Sequence, residues 1–292
     1  MDVSFDHLVH FVSRPETAAR SFSALGFPAV SGGTHSDWGT YNTLSYFDLT
    51  YIEWLGVLDE TRARQNEIAR QALDDVTISE GLGRFALRTH RMDPIIQYWK
   101  DQGLPFFGPI DGARQRPDGK TIRWRLLFPA GAPGLLQRSD TALRSARPVP
   151  THRRLPLPFV IEWAQDDQAR RQDLIQQGAL RPTGVNAFEL SAVHLAVYDV
   201  ESTLAQWNAY FPTHRVQRGI RCPLGKGAVL TVGSVQIGVW QVGPKELKNR
   251  LELMGERPFQ IDVKQRKDSP TAPASMYELS NKILHGLRVH IR

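Results

Sequence analysis

Three islands decide how this chain is read: Asp6-His7-Leu8-Val9-His10, Gly33-Thr34-His35-Ser36-Asp37-Trp38-Gly39-Thr40-Tyr41-Asn42, and Tyr51-Ile52-Glu53-Trp54-Leu55. The first and third are rich in β-branched and aromatic residues and predict strands. The second is a polar, glycine-punctuated loop leading into another strand. Between the first two, Ser13-Arg14-Pro15-Glu16 reads as a capping box with proline in the first helical turn. Ala18, Ala19, Phe22 and Leu25 supply an apolar helical stripe, and Gly26 ends it. Phe27 to Val30 is expected to begin a strand that Gly32-Gly33 turns. The order strand, helix, three strands makes a βαβββ unit of residues 4–57.

Working outward, the unit recurs. After a linker helix expected over Arg62–Leu73, Arg84 to Thr89 reads as a strand. Asp93-Pro94 opens a helix that Gly103 stops, and Phe106-Phe107 begins a strand. Pro117-Asp118-Gly119-Lys120 is a turn, and Thr121 to Phe128 alternates as a strand. Residues 129–156 read as an extended, proline- and arginine-rich loop, and Pro158 to Trp163 closes the unit. Ile52-Glu53-Trp54 and Ile161-Glu162-Trp163 repeat the same three residues at the ends of the two units. A polar stretch at 165–184, with Pro182-Thr183-Gly184, is the expected domain boundary.

A third unit follows over 186–242. It has a strand carrying His194, a helix capped by Asp199, and a hairpin around Gly233. Gly238 stands where a closing glutamate would fall, and His194 has no carboxylate partner visible in the sequence. This unit is therefore expected to carry no metal and to serve packing or dimerisation. The tail predicts a helix (Pro244 to Met254), a strand (Phe259 to Val263), a loop at 269–275, a helix (Met276 to Leu284) and a strand (Leu287 to Ile291). The expected architecture is an α+β fold of repeated βαβββ units forming cupped mixed sheets, with helices on the outer faces. Its domains are 1–180 and 181–292.

Composition narrows the function. At 292 residues, 41% hydrophobic and 23% charged, the chain has the make-up of a globular protein with room for two domains. One cysteine, Cys222, allows no intrachain disulfide, and a reducing cytoplasm is the expected setting. Asp2 and Asp6 occupy the N-terminal region where a signal peptide carries basic residues, and no apolar run is long enough for a membrane span. The net charge of +6 suits a basic surface or an anionic ligand. No nucleic-acid signature accompanies it. There is also no P-loop, nucleophile elbow or dinucleotide fingerprint.

The chemistry-bearing candidates sit in the strands. His7 and His10 are three residues apart, so in a strand they face opposite sides. His7 and Glu53, from the first and last strands of one unit, form a half-site for zinc, iron, manganese or nickel, and Glu162 could add a carboxylate from the second unit. Taken alone, His7 also reads as a hydrogen-bonded core histidine, and the glutamates as a solvated strand face. Their Ile and Trp neighbours argue for partial burial. Glu53 and Glu162 are also candidate bases. His35 belongs to a tight turn or a pocket rim, with Trp38, Tyr41 and Asn42 as ligand walls. Arg123 and Arg125 share one strand face, either as a basic surface or as a clamp for a carboxylate or phosphate.

With these motifs in place, the chain resembles the glyoxalase-like branch of the vicinal oxygen chelate superfamily. Asp6-His7-Leu8-Val9, Gly33-x-His35-x-x-Trp38-Gly39-Thr40-x-Asn42 and Tyr51-Ile52-Glu53 carry the resemblance, with Asp118-Gly119, Trp124-Arg125 and Ile161-Glu162-Trp163. It covers residues 4–165, and residues 186–242 look like a further unit. It implies paired βαβββ units around a pocket holding a divalent metal, with His7, Glu53 and Glu162 as ligands. The metal would polarise a carbonyl in a lyase, isomerase or dioxygenase acting on a small oxygenated molecule. Residues 84–88 offer no imidazole or carboxylate for a fourth ligand, and the superfamily also contains metal-free proteins that sequester small molecules. A small-molecule ligand is the expected partner, with a homodimer as a further candidate.

Overall fold

The computed structural model describes residues 1–24, 26–130, 157–180, 188–212, 215–266 and 283–291. Leu25, residues 131–156 of the expected loop, the 182–184 boundary, the 269–275 loop and residues 276–282 of the expected tail helix lie outside these. The first unit runs β1 (Ser4–Phe11), α1 (Pro15–Ser23), β2 (Val30–His35), β3 (Thr40–Tyr46) and β4 (Tyr51–Val57). The linker is two helices, α2 (Glu60–Ala63) and α3 (Glu67–Val76). The second unit is β5 (Gly81–Arg88), α4 (Asp93–Asp101), β6 (Phe106–Gln115), β7 (Thr121–Pro129) and β8 (Phe159–Trp163), followed by α5 (Asp167–Gln176).

Two local expectations are corrected. Helix α1 has Pro15 in its first turn but no side-chain cap. The Ser13 backbone N–H instead donates to Glu80 at 2.7 Å, a tertiary acceptor that replaces the local one. Strand β2 runs through Gly32-Gly33 rather than turning there. Gly33 has φ of 129°, and a Cβ on it would lie 2.1 Å from the Gln115 carbonyl oxygen. Glycine is what lets β2 reach β6, where Thr34 pairs with Gln115.

That pairing closes a barrel of order β1-β4-β3-β2-β6-β7-β8-β5. The two units meet antiparallel along β1 and β5, and each first strand pairs parallel with the last strand of its own unit. Strand β1 is apolar on both faces. Val9 and Phe11 join the barrel interior, whereas Phe5, Leu8 and Val12 pack outward. His7 and His10 fall on opposite faces, as the spacing requires: His10 lies tilted against Trp54 and donates to the His285 carbonyl at 2.6 Å.

The remaining strands form a second sheet: β9 (Phe188–Ala196), β10 (Arg215–Cys222), β11 (Gly225–Val232), β12 (Val235–Val242), β13 (Arg257–Gln265), β14 (Ile283–Leu284) and β15 (Leu287–Ile291). Helix α6 (Val200–Tyr210) follows β9, and α7 (Lys245–Met254) precedes β13. Ile283 and Leu284, expected in a helix, are strand. The sheet order is β10-β11-β12-β9-β13-β15-β14. Strand β13 pairs antiparallel with β9 and parallel with β15, as β5 does with β1 and β8. The tail is thus a shortened fourth unit, which the sequence reading does not anticipate.

One hydrophobic core joins barrel and sheet. It takes Phe5, Leu8, Phe85 and Leu87 from the barrel's outer face, and Val193, Leu195, Ile237, Ile261 and Val289 from the sheet. Helices α4 and α6 lock together through Trp99, which donates to the Tyr210 carbonyl at 2.9 Å, and Tyr210, which donates to the Pro105 carbonyl at 2.7 Å. Burying each such aromatic contributes roughly 2–3 kcal/mol.

Gly238 lies opposite His194. His194 is not without a carboxylate, contrary to the sequence expectation: its Nε2 lies 3.2 Å from buried Asp262. Trp240 donates to its Nδ1 at 2.9 Å. Asp262 comes from β13, a strand whose pairing beside β9 only the fold reveals.

Candidate functional site

The barrel interior holds a narrow cavity that opens to the surface. Strand alternation decides what enters it. Strand β1 contributes His7 and Val9, β4 contributes Tyr51, Glu53 and Leu55, and β3 contributes Thr40 and Asn42. His35 ends β2, and Trp38 follows in the loop. The second unit supplies Arg114 from β6, Trp124 and Leu126 from β7, and Phe159, Ile161 and Trp163 from β8. Ile68 and Ala69 of α3 cover one end. Asn66 caps that helix by accepting from their backbone N–H groups at 3.0 and 3.1 Å.

The polar centre is Glu53. Asn42 donates to its Oε1 at 2.6 Å. His7 Nε2 lies 3.7 Å from Oε2, and His35 Nε2 lies 4.0 Å from Oε1. Each imidazole is held from behind. His7 Nδ1 is 2.7 Å from the Asp6 carboxylate, and its ring stacks on Tyr51 at 4.6 Å. Donation of Nδ1–H to Asp6 turns the Nε2 lone pair toward the cavity. His35 Nδ1 is 2.9 Å from the Thr40 hydroxyl. If that hydroxyl donates, Nε2–H is the donor His35 presents. Burial is the main cause that lowers the His35 pKa to about 4; Glu53 opposes it, and Arg114 and His7 add to it. His35 is therefore neutral at physiological pH.

Asp6 is fully buried. Burial pushes its pKa up, but Arg170 and His7 outweigh this and hold it below the usual range. Trp163 donates to its second oxygen at 3.0 Å, and the Arg170 guanidinium lies 4.2 Å over the Trp163 ring. Asp6, Arg170 and Trp163 together fix the orientation of His7.

His7, His35, Trp38, Asn42 and Glu53 thus come together. Glu162, Arg123, Arg125 and Tyr41 do not join them. Glu162 follows Ile161 and precedes Trp163, both of which face inward, so it faces out. It accepts from the Met92 backbone N–H at 3.0 Å and from Arg125 Nε at 2.6 Å. Arg125 also reaches Asp93, and Arg123 is exposed. Tyr41 lines a separate surface groove beside Glu16 and Arg116. The ladders show why Glu162 was misplaced. Val9 faces Glu53, and its counterpart Ala86 faces Phe159. Val12 N–H bonds the Leu55 carbonyl as Thr89 N–H bonds that of Ile161. Glu53 therefore corresponds to Phe159, and the repeated Ile-Glu-Trp is offset by three residues.

Arg114 is the charged cavity residue that sequence reasoning missed. Alternation from the buried Gly112 on β6 was the available signal.

The donor kinds suit a divalent metal, being two imidazoles and a carboxylate. Their placement does not: among the described residues no group of three or more His, Cys, Asp or Glu is gathered as a metal ion requires. The second unit puts Phe159 where a further carboxylate would stand. The residues as placed do not fit a bound metal. No helix among the described residues is long and apolar enough to cross a membrane.

The sequence matches the family described as glyoxalase-like domain over residues 5–211. No curated protein matches it significantly. Among solved structures, a hypothetical protein from Staphylococcus aureus is 17% identical, with a TM-score of 0.70 over 99% of this chain and 100% of that one. It shares the whole two-sheet fold. Methylmalonyl-CoA epimerase from Mycobacterium tuberculosis is 16% identical over 57% of this chain and 91% of its own, with a TM-score of 0.36. A triple mutant of 4-hydroxymandelate synthase from Streptomyces coelicolor is 13% identical over 90% of this chain and 71% of its own, at 0.49. These two similarities are too low to carry an argument. The family match spans well over half of the chain and covers the paired-unit barrel, so the chain belongs to the glyoxalase-like domain family.

Proposed function

We propose that this chain is an acid–base enzyme, an isomerase or lyase that moves a proton beside a carbonyl of a small oxygenated molecule. One observation carries the reading: His7 Nε2 and His35 Nε2 approach the two oxygens of a single carboxylate, Glu53, inside an aromatic-walled cavity. Glu53 takes the proton from the carbon next to the carbonyl, and the C–H electron pair moves onto the carbonyl oxygen as an enolate. His35, with Nε2–H turned inward, donates to that oxygen as charge develops. In a 2-hydroxy carbonyl compound, return of the proton to the former carbonyl carbon, with the hydroxyl proton passing by way of His7 to the former carbonyl oxygen, completes an isomerisation. Asn42 holds Glu53 in place, and Trp38 and Trp124 exclude water. His7, kept in position by Asp6, accepts a substrate hydroxyl. Each of these roles falls to a side chain of this chain.

The second reading is a metal-free binding protein that sequesters a small molecule, and the largely apolar aromatic lining supports it. Proton NMR in D2O separates the two. A panel of 2-oxo and 2-hydroxy carbonyl compounds is incubated with the protein, and loss of α-proton signal is followed. An enzyme exchanges at least one compound faster than buffer, and Glu53→Gln removes that excess. Ligand-induced shifts without any exchange support sequestration instead.

A further inference from the structure

We infer that the occupant of the barrel cavity carries a carboxylate, received by Arg114. This rests on the reading above that the cavity takes a small oxygenated molecule, and it names the class: carboxylic acids with an apolar body.

Arg114 is 9% exposed and lines the cavity. Its Nε has no hydrogen-bond partner, and it enters no ion pair among the described residues. Other buried arginines are placed differently. Arg84 pairs with Glu67, Arg116 with Asp173, and Arg170 lies beside Asp6 and Asp167. Arg250 is also unpaired but is absent from the cavity lining. A guanidinium buried without a carboxylate is costly, and the cost is relieved when an anion arrives.

The surroundings suit a planar oxyanion. The Tyr46 hydroxyl shares a hydrogen bond with Arg114 and fixes part of its fork. Gly32 leaves space at the guanidinium: a Cβ there would sit 2.9 Å from Arg114 Nη1 and 1.9 Å from Asn42 Oδ1. That Asn42 oxygen is itself buried without a partner. It cannot accept from a carboxylate, but it can accept from a hydroxyl next to one. Asn42 also bonds Glu53, so the cationic end and the carboxylate base flank a single side chain. A ligand seated with its carboxylate on Arg114 therefore presents its adjacent carbons toward Glu53 and His35. Arginine matches a carboxylate with two parallel N–H···O bonds, and the enclosed aromatic walls favour a compact acid over a bulkier, more hydrated phosphate.

The test measures binding, not turnover. Trp38, Trp124 and Trp163 line the cavity, so tryptophan fluorescence reports occupancy. Three probes with one apolar tail are titrated: 3-phenylpropanoate, 3-phenylpropanamide and 2-phenylethylphosphonate. The wild-type protein should bind the acid about tenfold or more tighter than the amide. In Arg114→Gln that preference should fall to about one, while Arg114→Lys, which keeps the charge, should retain part of it. A thermal melt of each variant confirms folding. Glu53→Gln should lose exchange activity yet keep the acid preference, which separates failure of this inference from failure of the proton-transfer reading. The inference is overturned if the acid does not bind, if the acid and amide bind equally, if the preference survives Arg114→Gln, or if the phosphonate binds more tightly than the carboxylate.

Discussion

Lowering the pH from about 7.5 to about 5.5 should destabilise the fold through two buried histidines. Burial is the leading cause of both shifts: it lowers His10 to about 3 and His35 to about 4, from an ordinary value of 6.5. In the His10 cation the added N–H at Nδ1 would find no acceptor, and the charge would lie near that of Arg250. Below about pH 6.5 the unfolded chain takes up protons that the folded chain refuses. Stability is therefore fully present above that value and falls with pH down to the folded values. One unit below the unfolded value each histidine costs about 1.4 kcal/mol, so the pair costs about 3 kcal/mol at about pH 5.5. For a chain of this size that is a fall of roughly 5 °C or more in Tm. Calorimetric melts across the window measure it. The comparison is His10→Gln with His35→Gln, where the His10 replacement keeps a donor for the His285 carbonyl. The double variant should show a much flatter slope even if its Tm is lower throughout. A wild-type Tm that rises as pH falls, or a slope unchanged in the variant, would refute the reasoning.

Three further outcomes follow from particular contacts. Glu162→Ala should cost about 1 kcal/mol, because the Met92 N–H at the start of α4 loses its acceptor; fluorescence titration should show cavity binding unchanged, and a tenfold loss would place Glu162 in the site after all. Gly238→Ala should cost about 1–3 kcal/mol in chemical denaturation, because the new Cβ would lie 2.4 Å from Trp240 Nε1 and 2.7 Å from His194 Nδ1; full stability in the variant would contradict the Trp240–His194 bond. Dialysis against a chelator should leave Tm unchanged, since no described group is gathered to hold a metal; a fall reversed by one divalent ion would show a metal bound to the native state.

Much of the fold was legible because its signals are local. Pro15 and Gly26 bracket α1, Asp199 caps α6, and Gly233 turns the β11–β12 hairpin with φ of 60°. His7 and Glu53 stood out as polar residues among strand apolars, His35 stood out in the glycine-punctuated loop, and the three do converge. The second unit was harder. Strand β8 is apolar on both faces because it lies between the barrel interior and the outer core, so no period-two pattern fixed its register. A shared tripeptide filled that gap and pointed to Glu162, although the hydrogen-bond ladder aligns Glu53 with Phe159. Arg123 and Arg125 were correctly put on one face of β7, but Trp124 takes the inside. Arg114 was hidden because much of β6 is exposed and Gly112, the inward position just before it, carries no side chain. The fourth unit and the Asp262 partner of His194 depend on pairings between strands far apart in sequence, which no local pattern carries.

The most direct test of the central claim is α-proton exchange into D2O, measured side by side for the wild type, Glu53→Gln and Glu162→Gln with one exchanging substrate. Glu53 sits between two imidazoles inside the cavity, while Glu162 faces outward onto Arg125. Exchange should fall to the buffer rate in Glu53→Gln and stay at the wild-type rate in Glu162→Gln. Equal losses in both variants, or undiminished exchange in Glu53→Gln, would contradict the assignment of Glu53 as the base.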